Sequence, residues 1–136
     1  MKVTLERKND AYWFQGTGKT PVPINLDNGE NGASPMEMLL MSVGGCSAID
    51  VISILKKQRQ EITSYRIEVS GDRKEVEQAK PFEKIHVVIL LEGTIVPQKA
   101  KKAADLSFEK YCSVSLTLEP QVKITYEVNV NGTKID

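Results

Sequence analysis

Two thiols are the residues in this chain best suited to chemistry, and their settings differ. Cys46 sits inside a long apolar run, SPMEMLLMSVGGCSAIDVISIL, while Cys112 lies in EKYCSVSL, 66 positions later. A thiolate is a nucleophile, a metal ligand and a redox centre. Gly44 and Gly45 immediately precede Cys46, and each glycine inside a helix costs about 1 kcal/mol relative to alanine. Two purposes would justify that cost. One is close packing of the helix on a neighbour; the other is access of a small substrate to the thiol.

Composition narrows the classes of function. The chain has 136 residues, enough for one domain with a core that needs no disulfide staples. Lys plus Arg and Asp plus Glu each number 18, so no net charge steers it toward nucleic acid or an anionic membrane. The start, MKVTLERKND, is polar and lacks a signal-peptide core. Together with only two cysteines, this points to a reducing cytoplasm, where such a pair is redox-active or incidental rather than structural.

The elements that must position the thiols can be read from pattern. Asn28 to Ala33 is rich in turn formers, then Ser34, Pro35 and Glu37 spell an N-cap, a first-turn proline and a Ser-x-x-Glu capping box. The helix they start should run to about Arg59, ending on Lys56, Lys57 and Arg59 at the negative pole of its dipole. Met36 to Leu55 has the length of a membrane span. Glu37, Asp50, three serines and two glycines within it argue for a core helix instead.

Lys2–Arg7 and Tyr12–Thr17 read as a hairpin about Asn9-Asp10, with Pro21–Leu26 as a short third segment. Thr63–Ser70 alternates, with Tyr65, Ile67 and Val69 on one face, and Ile85–Leu91 suits a central strand. Residues 97–111 read as a second helix with Ala100, Ala103, Ala104 and Phe108 inward, and Val122–Val130 as the last strand. That order predicts an α+β fold in one domain spanning 1–136.

Taken together, the Pro-Met-Glu-Met start, the Gly-Gly-Cys-Ser-Ala-Ile-Asp core and EKYCSVSLTLE resemble the OsmC/Ohr superfamily. These are the osmotically inducible and organic-hydroperoxide-resistance proteins, and the resemblance is to their small YhfA-like branch. It covers essentially the whole chain. It implies an intertwined homodimer, with two long central helices packed between curved, mainly antiparallel sheets and two thiol sites at the subunit interface. It also implies reduction of hydroperoxides through Cys46 and Cys112, with a dithiol reductant and no cofactor. The alternative within the family is a non-catalytic protein that binds a small hydrophobic ligand at the dimer interface.

The implied chemistry assigns Cys46 the attack on the peroxide and Cys112 the formation of an intrachain disulfide. Better-studied members place a glutamate ten residues before the first cysteine, where it holds an arginine over the thiolate. Here that position is Met36, and Glu37 lies nine back, turned by about 100° on a helix. Glu37 is therefore both a candidate for this role and a member of the capping box. Arg7 and Lys8 are the loose counterparts of the arginine.

Asp50, one turn beyond Cys46 on the same face, could orient a cation, accept a proton or serve as a hydrogen-bonded structural group. His86, the single histidine, reads as structural. No metal is expected, because zinc would need carboxylate ligands that the sequence does not single out. Lys99, Lys101 and Lys102 read as a solvated helix face, and Tyr111 as a packing residue.

Overall fold

In the computed structural model, which describes residues 1–136, the chain divides into two units, Met1–Leu39 and Leu40–Asp136. In the first, β1 (Thr4–Arg7), β2 (Phe14–Thr17) and β3 (Ile24–Leu26) form an antiparallel sheet in that order. The expected hairpin is present, with Thr4 opposite Thr17 and Arg7 opposite Phe14. Its loop is held by Asn9, whose side-chain oxygen accepts the backbone N–H of Ala11 at 3.0 Å and of Trp13 at 3.2 Å. Val3, Leu5 and Ile24 are exposed and, with Leu26 and Met38, line an apolar groove of about 440 Å³.

The helix α1 spans Pro35–Lys57. Its capping box forms as expected: Glu37 N–H donates to the Ser34 hydroxyl at 3.2 Å, and Ser34 N–H donates to the Glu37 carboxylate at 3.0 Å. By length and composition α1 could also cross a bilayer. It is instead sided. Val43, Ser47, Val51 and Leu55 form a buried stripe, whereas Met41, Gly45, Ile49 and Ile52, at similar spacing, form an exposed one. Within one chain, α1 is thus buried along one stripe only.

The second unit carries a sheet in the order β4 (Glu61–Arg73), β5 (Phe82–Thr94), β6 (Lys123–Val130), β7 (Thr133–Ile135). β5 is central, as its apolar run predicts, and Ile85, Val87, Ile89 and Leu91 are all buried. β4 and β5 form a long antiparallel pair, whereas β5 and β6 run parallel and are joined by a helical crossover. Gly93 (φ 143°) sits beside a bulge in β4; a side chain there would meet the Glu61 carbonyl at 2.0 Å.

The crossover departs from expectation. The helix predicted over 97–111 ends as α2 (Pro97–Leu106), continues as a single π turn over Ser107–Tyr111, and gives way to a further helix, α3 (Ser113–Leu118). The reason is local. Cys112 N–H donates to the Ser107 carbonyl five residues back at 2.7 Å, opening the α-helical ladder by one residue. Cys112 is then extended (φ −75°, ψ 98°), and its own carbonyl starts α3 by accepting Leu116 N–H at 3.0 Å. α3 stops before Pro120, which disfavours helical geometry in the residue ahead of it. The predicted inward stripe of Ala100, Ala103, Ala104 and Phe108 is buried. Strand β6 is not the last, since the Asn131-Gly132 turn returns the chain as β7.

Candidate functional site

Cys46 and Asp50 stand one turn apart on α1, and Cys112 faces them from the end of the π turn. The two sulfurs and a carboxylate oxygen of Asp50 all lie within 4.8 Å of one another. Both cysteines are free thiols; Cys112 is wholly buried and Cys46 partly accessible. All three residues belong to the second unit.

The two glycines before Cys46 serve different ends. A Cβ on Gly44 would lie 3.0 Å from a Val69 methyl and 3.5 Å from one of Ile67, so this glycine lets α1 press on β4. A Cβ on Gly45 would meet nothing within 4 Å. Packing explains the first glycine but not the second, which leaves an open flank beside the thiol.

Two serines tune the arrangement. The Ser107 hydroxyl, fully buried, donates to Asp50 Oδ2 at 2.9 Å and so ties the π turn to α1. The Ser115 hydroxyl lies 3.0 Å from Cys112 Sγ. Burial pushes the Cys112 thiol up from its ordinary pKa; the Ser115 hydroxyl and amide pull it part-way back, and the neighbouring Cys46 sulfur pushes it up again. Tyr65 adds a third polar group. Its hydroxyl is buried without a hydrogen-bond partner, and burial, reinforced by the Asp50 charge, pushes its pKa far up.

The remaining predicted residues have other engagements. Arg7 donates to the carbonyls of Asp10 at 2.6 Å and Ala11 at 3.1 Å, closing the hairpin loop, and Lys8 pairs with Glu6 at 3.6 Å. Glu37 is held in the capping box, where the Ser34 amide and hydroxyl lower its pKa. His86 Nδ1 is 2.8 Å from the Thr125 hydroxyl and its Nε2 is 3.6 Å from Glu127, which fits a structural role. Tyr111 is half exposed with the Lys110 ammonium over its ring, so the packing role expected of it does not hold. Ser107, Ser115 and Tyr65 were not singled out by sequence as site residues. Only Tyr65, the one hydroxyl beside Ile67 and Val69 on the inward face of its strand, left a usable signal.

Residues 27–127 match the family model described as OsmC-like protein, and 124 residues are 44% identical to Protein YhfA of Escherichia coli K12, covering 89% of this chain and 92% of that one. The chain belongs to the OsmC-like family. Among solved structures, a hypothetical protein from Aquifex aeolicus VF5 superposes with a TM-score of 0.81 at 36% identity, over 96% of each chain. The organic hydroperoxide resistance protein OhrB of Bacillus subtilis superposes with a TM-score of 0.63 at 20% identity, over 94% of this chain and 96% of its own. The OsmC-like fold, an α+β arrangement with two sheets, is thereby established. Both cysteines lie within the span matched to the OsmC-like model.

Proposed function

We propose that this OsmC-like chain is a thiol-dependent hydroperoxide reductase with Cys46 as the attacking thiol and Cys112 as the resolving one. The observation that carries the reading is the approach of two free sulfurs to within 4.8 Å, one partly accessible and one buried. In the first step the Cys46 thiolate attacks the terminal oxygen of ROOH. The O–O bond breaks, a sulfenic acid forms, and the alkoxide leaves with a proton as ROH. In the second, Cys112 sulfur attacks the sulfenic sulfur, water leaves, and an S–S bond forms. A dithiol reductant then restores both thiols by exchange and is itself oxidised to a disulfide. The division of labour follows from environment: burial favours the protonated form of Cys112, suiting a thiol that waits for the sulfenic acid.

Organic hydroperoxides are favoured as substrates by the relatedness to proteins named for resistance to them. A reducing compartment such as the cytoplasm suits a mechanism that begins from two thiols. We read the two units as one OsmC-like domain that works as a homodimer. The exposed Met41, Gly45, Ile49 and Ile52 stripe on α1 and the apolar face of the first sheet supply surfaces for a second copy. In that assembly Arg7 is the candidate cation over Cys46, with Glu37 as the candidate carboxylate that holds it.

The assay is steady-state consumption of cumene hydroperoxide with a dithiol, beside hydrogen peroxide. Turnover lost in Cys46→Ser is the expected result; equal rates for wild type and Cys46→Ser would overturn the reading. The second reading, a protein that binds a small hydrophobic ligand, is favoured by the apolar groove on the first sheet and by the local engagement of Arg7. It takes the lead if no peroxide is consumed.

A further inference from the structure

We propose that Cys46, Cys112 and Asp50, in the reduced protein, form a binding site for one thiophilic divalent cation, Zn²⁺ foremost, per chain. Tetrahedral ligation at Zn–S near 2.3 Å and Zn–O near 2.1 Å needs donor atoms about 3.6–3.8 Å apart. The three donors already lie within 4.8 Å of one another. Closing that gap takes a shift of roughly an ångström, within the reach of side-chain torsions alone. The carboxylate that the sequence did not single out for a zinc site is Asp50, brought to the thiols by one turn of α1 and the π turn.

The surroundings resemble those of a metal site more than those of a chance cluster. Ser107 donates to Asp50 Oδ2 and Ser115 lies against Cys112 Sγ, so two of the three ligands are oriented by a second hydroxyl. Binding replaces two S–H bonds by two S–Zn bonds and releases two protons to solvent. Two thiolates and a carboxylate on a dication leave one negative charge and an open fourth position, which water can take. Tyr65, a buried donor without a partner within the field of Asp50, is suited to hydrogen-bond to such an added group. Cation and disulfide exclude each other, because both need the same sulfur electrons. The bound cation would therefore hold the pair reduced and shield it from peroxide. This site shares its thiols with the proposed reductase chemistry but does not depend on turnover.

The test is an anaerobic titration of the fully reduced protein with Co²⁺ and Zn²⁺. One Co²⁺ per chain should bind, with sulfur-to-cobalt charge-transfer absorption and the visible bands of tetrahedral cobalt, and Zn²⁺ should displace it. The same wild-type chain oxidised to its disulfide should bind none and regain binding on reduction, a control that involves no variant. Asp50→Asn should weaken binding by about ten-fold or more while retaining the charge-transfer band. Cys112→Ser should lose part of that band, and His86→Ala should change nothing. Binding of less than one cation per chain, binding that survives oxidation, or wild-type affinity in Asp50→Asn would each overturn the proposal. Peroxide consumption by metal-free protein is scored separately: tight zinc binding without turnover sinks the reductase alone, and turnover without zinc binding sinks this site alone.

Discussion

The Ser107 hydroxyl donates to Oδ2 of Asp50 at 2.9 Å, so the segment that delivers Cys112 is fastened to the helix that carries Cys46 by one hydrogen bond to a carboxylate. The two residues are 57 positions apart in sequence, and the bond closes the gap where the thiols meet. Removing it should have two separable effects. Ser107→Ala should lower stability by about 1.5–3 kcal/mol, the usual worth of a hydrogen bond to a charged group. It should also lengthen the life of the Cys46 sulfenic acid, because Cys112 is less firmly placed. Denaturant midpoints and single-turnover trapping of the sulfenic acid measure the two. Disulfide formation at the wild-type rate would show that the bond does not position Cys112.

Thiol accounting separates the roles of the cysteines. One equivalent of organic hydroperoxide should consume both thiols of the wild type and give an intrachain disulfide. Cys46→Ser should consume no peroxide, and Cys112→Ser should form a sulfenic acid and stall. Intact mass and thiol counts read each outcome. Normal turnover of Cys112→Ser with a dithiol would remove Cys112 from the mechanism.

Burial of Cys112 also predicts a pH dependence of stability. Its folded pKa is raised, chiefly by burial. Below the unfolded thiol's pKa of about 8.5, both states keep the proton and nothing is gained or lost. Above it the unfolded chain ionises while the native thiol does not, so stability falls as pH climbs toward the folded pKa. Urea midpoints of the reduced protein should decline above about pH 8.5, and Cys112→Ala should flatten that decline. An equal decline in both proteins would assign the effect elsewhere.

The two glycines of α1 should respond in opposite senses. Gly44→Ala places a methyl 3.0 Å from Val69, a β-branched residue stiff in χ1, and should cost about 1–3 kcal/mol. Gly45→Ala meets nothing within the chain, so the monomer fold should gain about 0.5–1 kcal/mol. If Gly45 lies against a second copy, that same variant should weaken the dimer seen by light scattering. A mass of one chain for the wild type at micromolar concentration would remove the homodimer altogether.

Activation of Cys46 is tested by charge. Met36→Glu, which restores a carboxylate ten residues before the thiol, should raise the peroxide rate, and Arg7→Ala should lower it. Glu37→Gln distinguishes the two roles of that residue. As a capping group with lowered pKa, Glu37 contributes stability above the unfolded value near about 4.3, lost as pH falls through the folded one. Loss of that acid-range stability with an unchanged peroxide rate would leave Glu37 a cap alone.

Much of this arrangement was legible from local sequence. The capping box, the Asn9 turn, the alternation of β4 and the inward alanines of α2 each follow from short-range rules, and each stands in the structure. What was not legible depends on contacts across the chain. Nothing in Ser-Phe-Glu-Lys-Tyr marks a π turn, and nothing near Ser107 in sequence announces that its hydroxyl will reach a helix residue 57 positions earlier. The sequence SVSLTL, in which Ser113, Val114, Ser115 and Thr117 are all modest helix formers, hides a helix whose start is set by the carbonyl of Cys112. Apolarity nearly all round marks α1 as a core helix but does not say which stripe the chain itself covers, because that is set by contacts such as Gly44 against Val69.

The π turn makes the placement of Cys112 a matter of counting. It holds one residue more than an α-helical turn would, and the residue after it is offset by about 100° from where a regular helix would aim it. Winding the same residues as a regular α-helix would carry Cys112 to another face with its identity untouched, whereas losing one residue together with the π turn would leave the thiol stacked over Ser107. Two OsmC-like sequences could thus share both cysteines at the same spacing and differ in whether they ever meet, and the winding of this five-residue segment would be the place to look.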